Sequence, residues 1–129
     1  MPKILVVEDE KNLRLLYKHD LEQEGYAVVT AANAVEGLQA LETEAPDLVV
    51  LDIRMPGMDG LEAMGRILEK NPKIPVVLNS AYSSYKDNFL SWAADAYIIK
   101  SADTTELRAR VRELIEARRG GEPAARETE

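Results

Sequence analysis

The 129-residue sequence contains no cysteine, which excludes disulfide bonds and thiolate metal sites. It has one histidine, His19, so any metal ion must be held mainly by oxygen atoms, which favours Mg²⁺ or Ca²⁺ over Zn²⁺. Cationic side chains are also few, since 16 Lys and Arg stand against 23 Asp and Glu for a formal net charge of -7. Proteins that bind nucleic-acid backbones use clustered cations, so we expect no direct contact between this domain and nucleic acid.

Long hydrophobic runs are missing as well. The longest contains only a few residues, against the roughly 20 that a membrane helix needs, and the N-terminus leads into a predicted strand without the apolar segment of a secretory signal. We therefore expect a cytoplasmic protein without a membrane partner. A length of 129 residues with 46% hydrophobic residues fits one soluble domain with a core of useful size.

Five short apolar segments rich in β-branched residues predict five strands, each followed by a segment with helical spacing. The strands are expected at residues 4–7, 27–30, 48–51, 75–78 and 97–99. Four of the helical segments are clearly amphipathic, whereas the one at 84–93 is weak. The strand at 48–51 is apolar on both faces, as in a parallel sheet covered by helices on both sides. The sequence therefore predicts an α/β fold with a doubly wound, five-stranded parallel sheet and five helices.

Three predicted helix starts carry an acceptor side chain with a glutamate three residues further on, the pattern of a capping box. These pairs are Asn33 with Glu36, Asp59 with Glu62, and Asp103 with Glu106. Towards the C-terminus, from residue 118, apolar residues give way to Gly, Pro and charged residues. We therefore expect a folded domain at residues 1–118 and a disordered tail or linker at 119–129.

Unusual polar residues stand where the predicted strands end. Glu8 and Asp9 follow the first strand, Asp52 the third, Ser80 the fourth and Lys100 the fifth. Because the carboxyl ends of parallel strands meet at one edge of a sheet, we expect these side chains to share one crevice. Three carboxylates there would raise one another's pKa unless a cation neutralised them. Mg²⁺ suits such oxygen ligands, with Mn²⁺ as a further candidate, and it leaves coordination positions for phosphate oxygens.

The same group of residues predicts a phosphoryl chemistry. With a metal ion and Lys100 offsetting negative charge, Asp52 can attack an electrophilic phosphorus and form an aspartyl phosphate. The hydroxyl of Ser80 could then donate a hydrogen bond to a phosphoryl oxygen. We therefore interpret Asp52, Lys100 and Ser80 as the residues that carry the reaction.

Four segments of the sequence resemble bacterial response-regulator receiver domains of two-component signalling systems. They are LVVEDE at 5–10, VLDIRMPGMDG at 50–60, NSA at 79–81 and IIK at 98–100. Their order along the chain is far more specific than any one of them. The resemblance implies a flavodoxin-like fold with strand order 2-1-3-4-5. It also implies that Asp52 accepts a phosphoryl group from a sensor histidine kinase or a histidine phosphotransfer protein.

The resemblance assigns further roles. Mg²⁺ would be bound by Glu8, Asp9, Asp52 and the backbone carbonyl of Arg54. Ser80 would be the hydroxyl switch residue, and Tyr97 the switch aromatic that turns inward on phosphorylation. The surface formed by the predicted helix at 84–93, the fifth strand and the last helix would then change. A downstream protein partner would read that change or receive the phosphoryl group.

One departure from the family concerns Ser101. Members of the family usually have proline directly after the lysine, commonly with a cis peptide bond. Serine removes the low-cost route to a cis bond, which leaves open a trans bond and a shifted loop around Lys100.

Two alternative functions remain open. The first is a phosphohydrolase of the haloacid-dehalogenase type. Such enzymes have an Asp-x-Asp pattern at the nucleophile, and here Arg54 occupies its second position, where it cannot act as the general acid or base. The second is a degenerate receiver that binds a partner without phosphorylation, which the retained acidic residues and Lys100 disfavour. The sequence thus predicts a signalling phosphoacceptor that catalyses only its own phosphorylation and dephosphorylation, rather than an enzyme acting on external substrates.

Overall fold

The computed structural model describes residues 1–53, 57–81 and 94–119. Within these ranges the chain forms five strands and four helices. They are β1 Lys3–Val7, α1 Lys11–Gln23, β2 Ala27–Ala31, α2 Ala34–Glu44, β3 Leu48–Leu51, α3 Gly60–Lys70, β4 Val76–Ser80, β5 Ala96–Ile99 and α4 Thr105–Arg119. The helix predicted at 84–93 lies outside the described residues, as does the tail beyond Arg119. In the described part of the chain, no helix is both long and apolar enough to cross a membrane.

All five strands lie parallel in one sheet in the order β2-β1-β3-β4-β5. This confirms the predicted doubly wound α/β fold and its strand order. Every residue of β3 and β4 is buried. The helices cover both faces of the sheet, which explains why these central strands lack an alternation of apolar and polar residues.

The sheet divides the apolar core into two clusters. One cluster lies on the face that α2 and α3 cover, and includes Leu5, Val7, Leu51, Leu78, Leu41 and Ile67. The other lies on the face that α1 and α4 cover, which we call the α1/α4 face, and includes Ile4, Val6, Val50, Val77, Ile98, Tyr17, Leu21 and Val111. Successive residues of each strand alternate between the two clusters, as the geometry of a pleated strand requires.

Two of the three predicted helix caps are confirmed. Asn33 Oδ1 accepts a hydrogen bond from the backbone N–H of Glu36 at 2.9 Å. Asp59 Oδ1 accepts one from the backbone N–H of Glu62, also at 2.9 Å. Each bond satisfies a backbone donor that the first turn of the helix leaves unpaired.

The third predicted cap was wrong by one residue. Asp103 Oδ1 accepts from the backbone N–H of Thr105 at 2.9 Å rather than from Glu106, and α4 begins at Thr105. Thr104, directly before the helix, is buried and donates its hydroxyl to Asp20 Oδ2 on α1 at 2.5 Å. This contact between distant segments lies directly before α4, and local sequence pattern does not reveal it.

Replacing Thr104 by valine is expected to lower the free energy of unfolding by about 1–2 kcal/mol, because the Asp20 carboxylate loses a hydrogen-bond donor. That hydrogen bond is the main cause that lowers the pKa of Asp20. A carboxylate with a lowered pKa stabilises the fold above its ordinary titration range, so this contribution is lost as the pH falls and Asp20 becomes protonated. Urea denaturation of Thr104→Val, Asp20→Asn and the double variant measures the coupling, and additive effects would contradict the prediction.

Candidate functional site

The structure brings the three predicted carboxylates together at the carboxyl edge of the sheet. Glu8 and Asp52 are almost completely buried, with 1% and 2% of their surface exposed, whereas Asp9 is exposed. One oxygen of each residue lies within 4.8 Å of the others. A hard divalent cation needs such closely spaced oxygen atoms.

Lys100, directly after β5, links the two buried carboxylates. Its Nζ lies 3.0 Å from Glu8 Oε1, 3.1 Å from Glu8 Oε2 and 3.0 Å from Asp52 Oδ2. The described residues contain no cis peptide bond, so the Lys100–Ser101 bond is trans. The trans bond therefore still allows the lysine to reach the carboxylates. We call Glu8, Asp9, Asp52 and Lys100 the acidic site.

The acidic site has more negative than positive charge. Burial, and after it the charge of Glu8, raise the pKa of Asp52 to about 7 against the opposing effect of Lys100. Burial also raises the pKa of Glu8, again against Lys100. Burial acts to lower the pKa of Lys100, but its hydrogen bond to Glu8 and the charge of Asp52 outweigh this and raise it. One lysine thus only partly compensates the buried carboxylates, which favours binding of a further cation.

The backbone around Asp52 is held by close contacts that the sequence interpretation missed. Asp52 N donates to Val7 O at 3.0 Å, and Gly60 N donates to Ile53 O at 2.6 Å. A Cβ atom at Gly60 would lie 2.1 Å from the carbonyl oxygen of Asp52 and 2.5 Å from Ile53 Cα. Only glycine therefore allows the first residue of α3 to pack on the backbone that carries Asp52. The glycine at the start of an amphipathic helix is the signal that could have indicated this contact.

Arg14 on α1 was also missed. Its Nη1 donates to the carbonyl oxygen of Glu8 at 2.8 Å and lies 3.4 Å from that of Asp9. The backbone N–H of Glu10 donates to Glu8 Oε2 at 3.1 Å. These contacts hold the loop between β1 and α1, from which both carboxylates project.

The three other predicted site residues, Ser80, Tyr97 and Arg54, are not part of the acidic site. Ser80 is the last residue of β4, is fully buried, and accepts a hydrogen bond from the backbone N–H of Lys100 at 2.7 Å. Tyr97 in β5 pairs with Leu78 and packs, partly buried, against the cluster under α2 and α3. Arg54 lies outside the described residues.

A family model described as "Response regulator receiver domain" matches residues 4–112. The chain therefore belongs to the response-regulator receiver family, whose members are signalling proteins, and the predicted resemblance is confirmed.

Similar solved structures and sequences agree with this membership. The response regulator TrrA of Thermotoga maritima in complex with Mg²⁺-BeF is 46% identical, with a TM-score of 0.85 over 88% of this chain and 99% of that chain. TrrA in complex with the histidine kinase ThkA gives 46% identity and a TM-score of 0.83 over 88% and 98%. The alkaline phosphatase synthesis transcriptional regulatory protein PhoP of Bacillus subtilis is 36% identical over 115 residues, which cover 88% of this chain and 48% of PhoP. The chain spans about half the length of the curated relatives it matches.

Proposed function

We propose that Asp52 accepts a phosphoryl group from the phosphohistidine of a sensor histidine kinase or a histidine phosphotransfer protein. The observation that carries this proposal is the almost fully buried Asp52 carboxylate, 3.0 Å from Lys100 and clustered with Glu8 and Asp9. TrrA, which shares 46% identity with this chain, was solved both with a histidine kinase and with Mg²⁺-BeF. Beryllium fluoride has the tetrahedral shape of a phosphoryl group, so its complex supports the same chemistry here.

The residues present fit a magnesium ion. Glu8, Asp9 and Asp52 supply oxygen atoms within 4.8 Å of one another, and their negative charge exceeds what one lysine neutralises. These three residues would hold Mg²⁺, or Mn²⁺, together with the carbonyl of Arg54, which lies outside the described residues. When bound, the ion would supply positive charge for the carboxylates and for the phosphoryl oxygens.

The transfer itself forms one bond and breaks another. A carboxylate oxygen of Asp52 attacks the phosphorus, and the phosphorus–nitrogen bond of the phosphohistidine breaks as the new phosphorus–oxygen bond forms. The departing imidazole keeps the electron pair of that bond and takes a proton from solvent. Lys100 offsets the charge of the attacking carboxylate and of the transferred group. Attack by water on the phosphoryl group later releases inorganic phosphate and restores Asp52, so the chain turns over no external substrate.

The response to phosphorylation would pass through Ser80 and Tyr97. The Ser80 hydroxyl would move to a phosphoryl oxygen, and Tyr97 would turn into the space that this movement releases. Ser80 is near enough for this role, since its backbone carbonyl accepts a hydrogen bond from the N–H of Lys100, a residue of the acidic site. The surface around β5, α4 and the helix predicted at 84–93 would change for a partner protein.

The wider context of the domain also belongs to this proposal. Residues 1–118 would form the receiver unit in the cytoplasm, and 119–129 would be a tail or linker. The curated relatives include transcriptional regulators about twice the length matched here. The acidic balance of this chain supports an output through protein contact or phosphoryl transfer, with no nucleic acid bound by the receiver itself.

Intact-mass spectrometry after incubation with acetyl phosphate and Mg²⁺ tests the proposal. The native chain should gain one phosphoryl mass, and Asp52→Asn should gain none. Asp47→Asn is a matched control, because Asp47 binds the Lys3 backbone at the opposite edge of the sheet and should leave the gain unchanged. A native chain that binds Mg²⁺ yet never gains the mass would contradict the proposal, and so would a gain that survives Asp52→Asn.

A phosphate-release assay with an external substrate tests the phosphohydrolase alternative. Incubation with an aryl phosphate should release no more phosphate than the blank. Repeated turnover that is lost in Asp52→Asn would favour the phosphohydrolase instead.

A further inference from the structure

Two uncharged polar side chains lie under the acidic site. On four strands, the residue two positions before a polar residue belongs to the cluster on the α1/α4 face; these pairs are Val6 and Glu8, Val50 and Asp52, Val77 and Asn79, and Ile98 and Lys100. Strand alternation therefore places Asn79 on the same face as the charged residues. Tyr17 of α1 covers this face and is 1% exposed.

Both side chains carry a buried polar atom that makes no hydrogen bond to a charged residue of the acidic site. Tyr17 Oη and Asn79 Nδ2 are buried and approach each other without forming a well-aligned hydrogen bond, and neither has another hydrogen-bond partner among the described residues. A buried polar group without a partner raises the free energy of the state that contains it, and such groups are uncommon in folded proteins. Their presence next to a charged site therefore calls for a second state in which they are paired.

Tyr17 lies within electrostatic reach of the acidic site. Burial is the main cause that raises the pKa of its hydroxyl, hydrogen bonding with the adjacent Asn79 side chain lowers that pKa, and the charge of Glu8 raises it. Tyr17 packs in the same cluster as Val6, two residues before Glu8, so the Glu8 carboxylate is a candidate acceptor for its hydroxyl.

Asn79 lies beside Asp52. The parallel register pairs Leu51 of β3 with Leu78 of β4, so the residues that follow them are neighbours across the two strands. The Asp52 carboxyl group is therefore a candidate acceptor for the Asn79 carboxamide.

We propose that Tyr17 and Asn79 are positioning residues of the phosphoacceptor site, whose donors pair with Glu8 and Asp52 once the site carries a phosphoryl group. This inference rests on the proposed function. In the present state Lys100 contacts both carboxylates at 3.0 Å. When Lys100 binds the phosphoryl group instead, the carboxyl oxygens of Glu8 and Asp52 lose its ammonium group as a hydrogen-bond donor. The two uncharged donors on the same face then replace it and hold Glu8 and Asp52 in place.

Beryllium fluoride with Mg²⁺ is the probe for this second state. For Tyr17→Phe and for Asn79→Leu, we expect the affinity of the full chain for the probe to fall about tenfold, since each variant loses a hydrogen bond to a charged group. In EDTA, the urea midpoint of each variant should equal or exceed that of the native chain, because an unpaired buried donor has been removed. Ile4→Val is the control in the same cluster, and it should lower the urea midpoint and leave the affinity unchanged.

The outcomes separate the two proposals. Affinity that is unchanged in both variants overturns the inference, and a lower midpoint in EDTA with unchanged affinity shows that the two residues serve stability alone. A native chain that binds no beryllium fluoride contradicts the proposed function itself, and the inference with it.

Discussion

Gly60→Ala is expected to lower the free energy of unfolding by about 2–3 kcal/mol and to slow phosphorylation of Asp52 by about tenfold or more. The added Cβ would lie 2.1 Å from the Asp52 carbonyl oxygen and 2.5 Å from Ile53 Cα. Both atoms belong to the backbone, so no change of rotamer relieves the contact. The start of α3 must move away from the end of β3, and Asp52 moves with it.

Gly65 provides the matched control in the same helix. It is exposed, and a Cβ atom there would meet no atom within 4 Å. Gly65→Ala should therefore raise the free energy of unfolding by about 0.5–1 kcal/mol, the usual gain for alanine inside a helix. Urea denaturation and the rate of mass gain with acetyl phosphate measure both variants. Equal stability of the two variants would show that α3 does not depend on the close contact at Gly60.

In the absence of divalent ions, the free energy of unfolding is expected to fall as the pH rises from about 4 to about 7. Burial and the nearby charge of Glu8 raise the pKa of Asp52 from 3.8 to about 7, so in this range the folded chain binds a proton that the unfolded chain has released. A raised carboxyl pKa therefore stabilises the fold at low pH, and that stabilisation is lost as the pH rises. The expected loss is on the order of 2–4 kcal/mol.

Asp52→Asn should remove most of this pH dependence, because asparagine does not titrate. Glu8, whose pKa is also raised by burial, should leave a smaller slope. Saturating Mg²⁺ should restore stability to the native chain at pH 8, since a bound cation favours the ionised carboxylates, and should have less effect on Asp52→Asn. Urea denaturation at several pH values in EDTA measures these slopes, and identical slopes for the native chain and Asp52→Asn would contradict the assignment.

Local pattern was enough for most of the fold. The strands at residues 4–7 and 48–51 were recognisable because strands buried on both faces are continuously apolar, and the caps at Asn33 and Asp59 follow from spacing of three residues. The start of α4 was misplaced by one residue, at a point where the Thr104 hydroxyl bonds to Asp20, 84 residues away, a contact that local pattern does not contain.

In the acidic site, too, local pattern predicted which residues belong together but not all of their contacts. Glu8, Asp9, Asp52 and Lys100 could be predicted as one group because each follows a strand, and parallel strands end at one edge of the sheet. The spacing of residues along the chain does not specify which of these carboxylates share the lysine.

The sequence by itself determined the order of strands and helices, the family, and the polar residues at the strand ends, since these depend on periodicity and local motifs. The tertiary structure decided which distant groups touch: Lys100 lies between Glu8 and Asp52, α3 packs at Gly60 on the backbone of Asp52, and the Tyr17 side chain lies next to that of Asn79. These contacts depend on how helices pack on the sheet to within an ångström. That distance is set by all the side chains between the elements together, so no local pattern contains it.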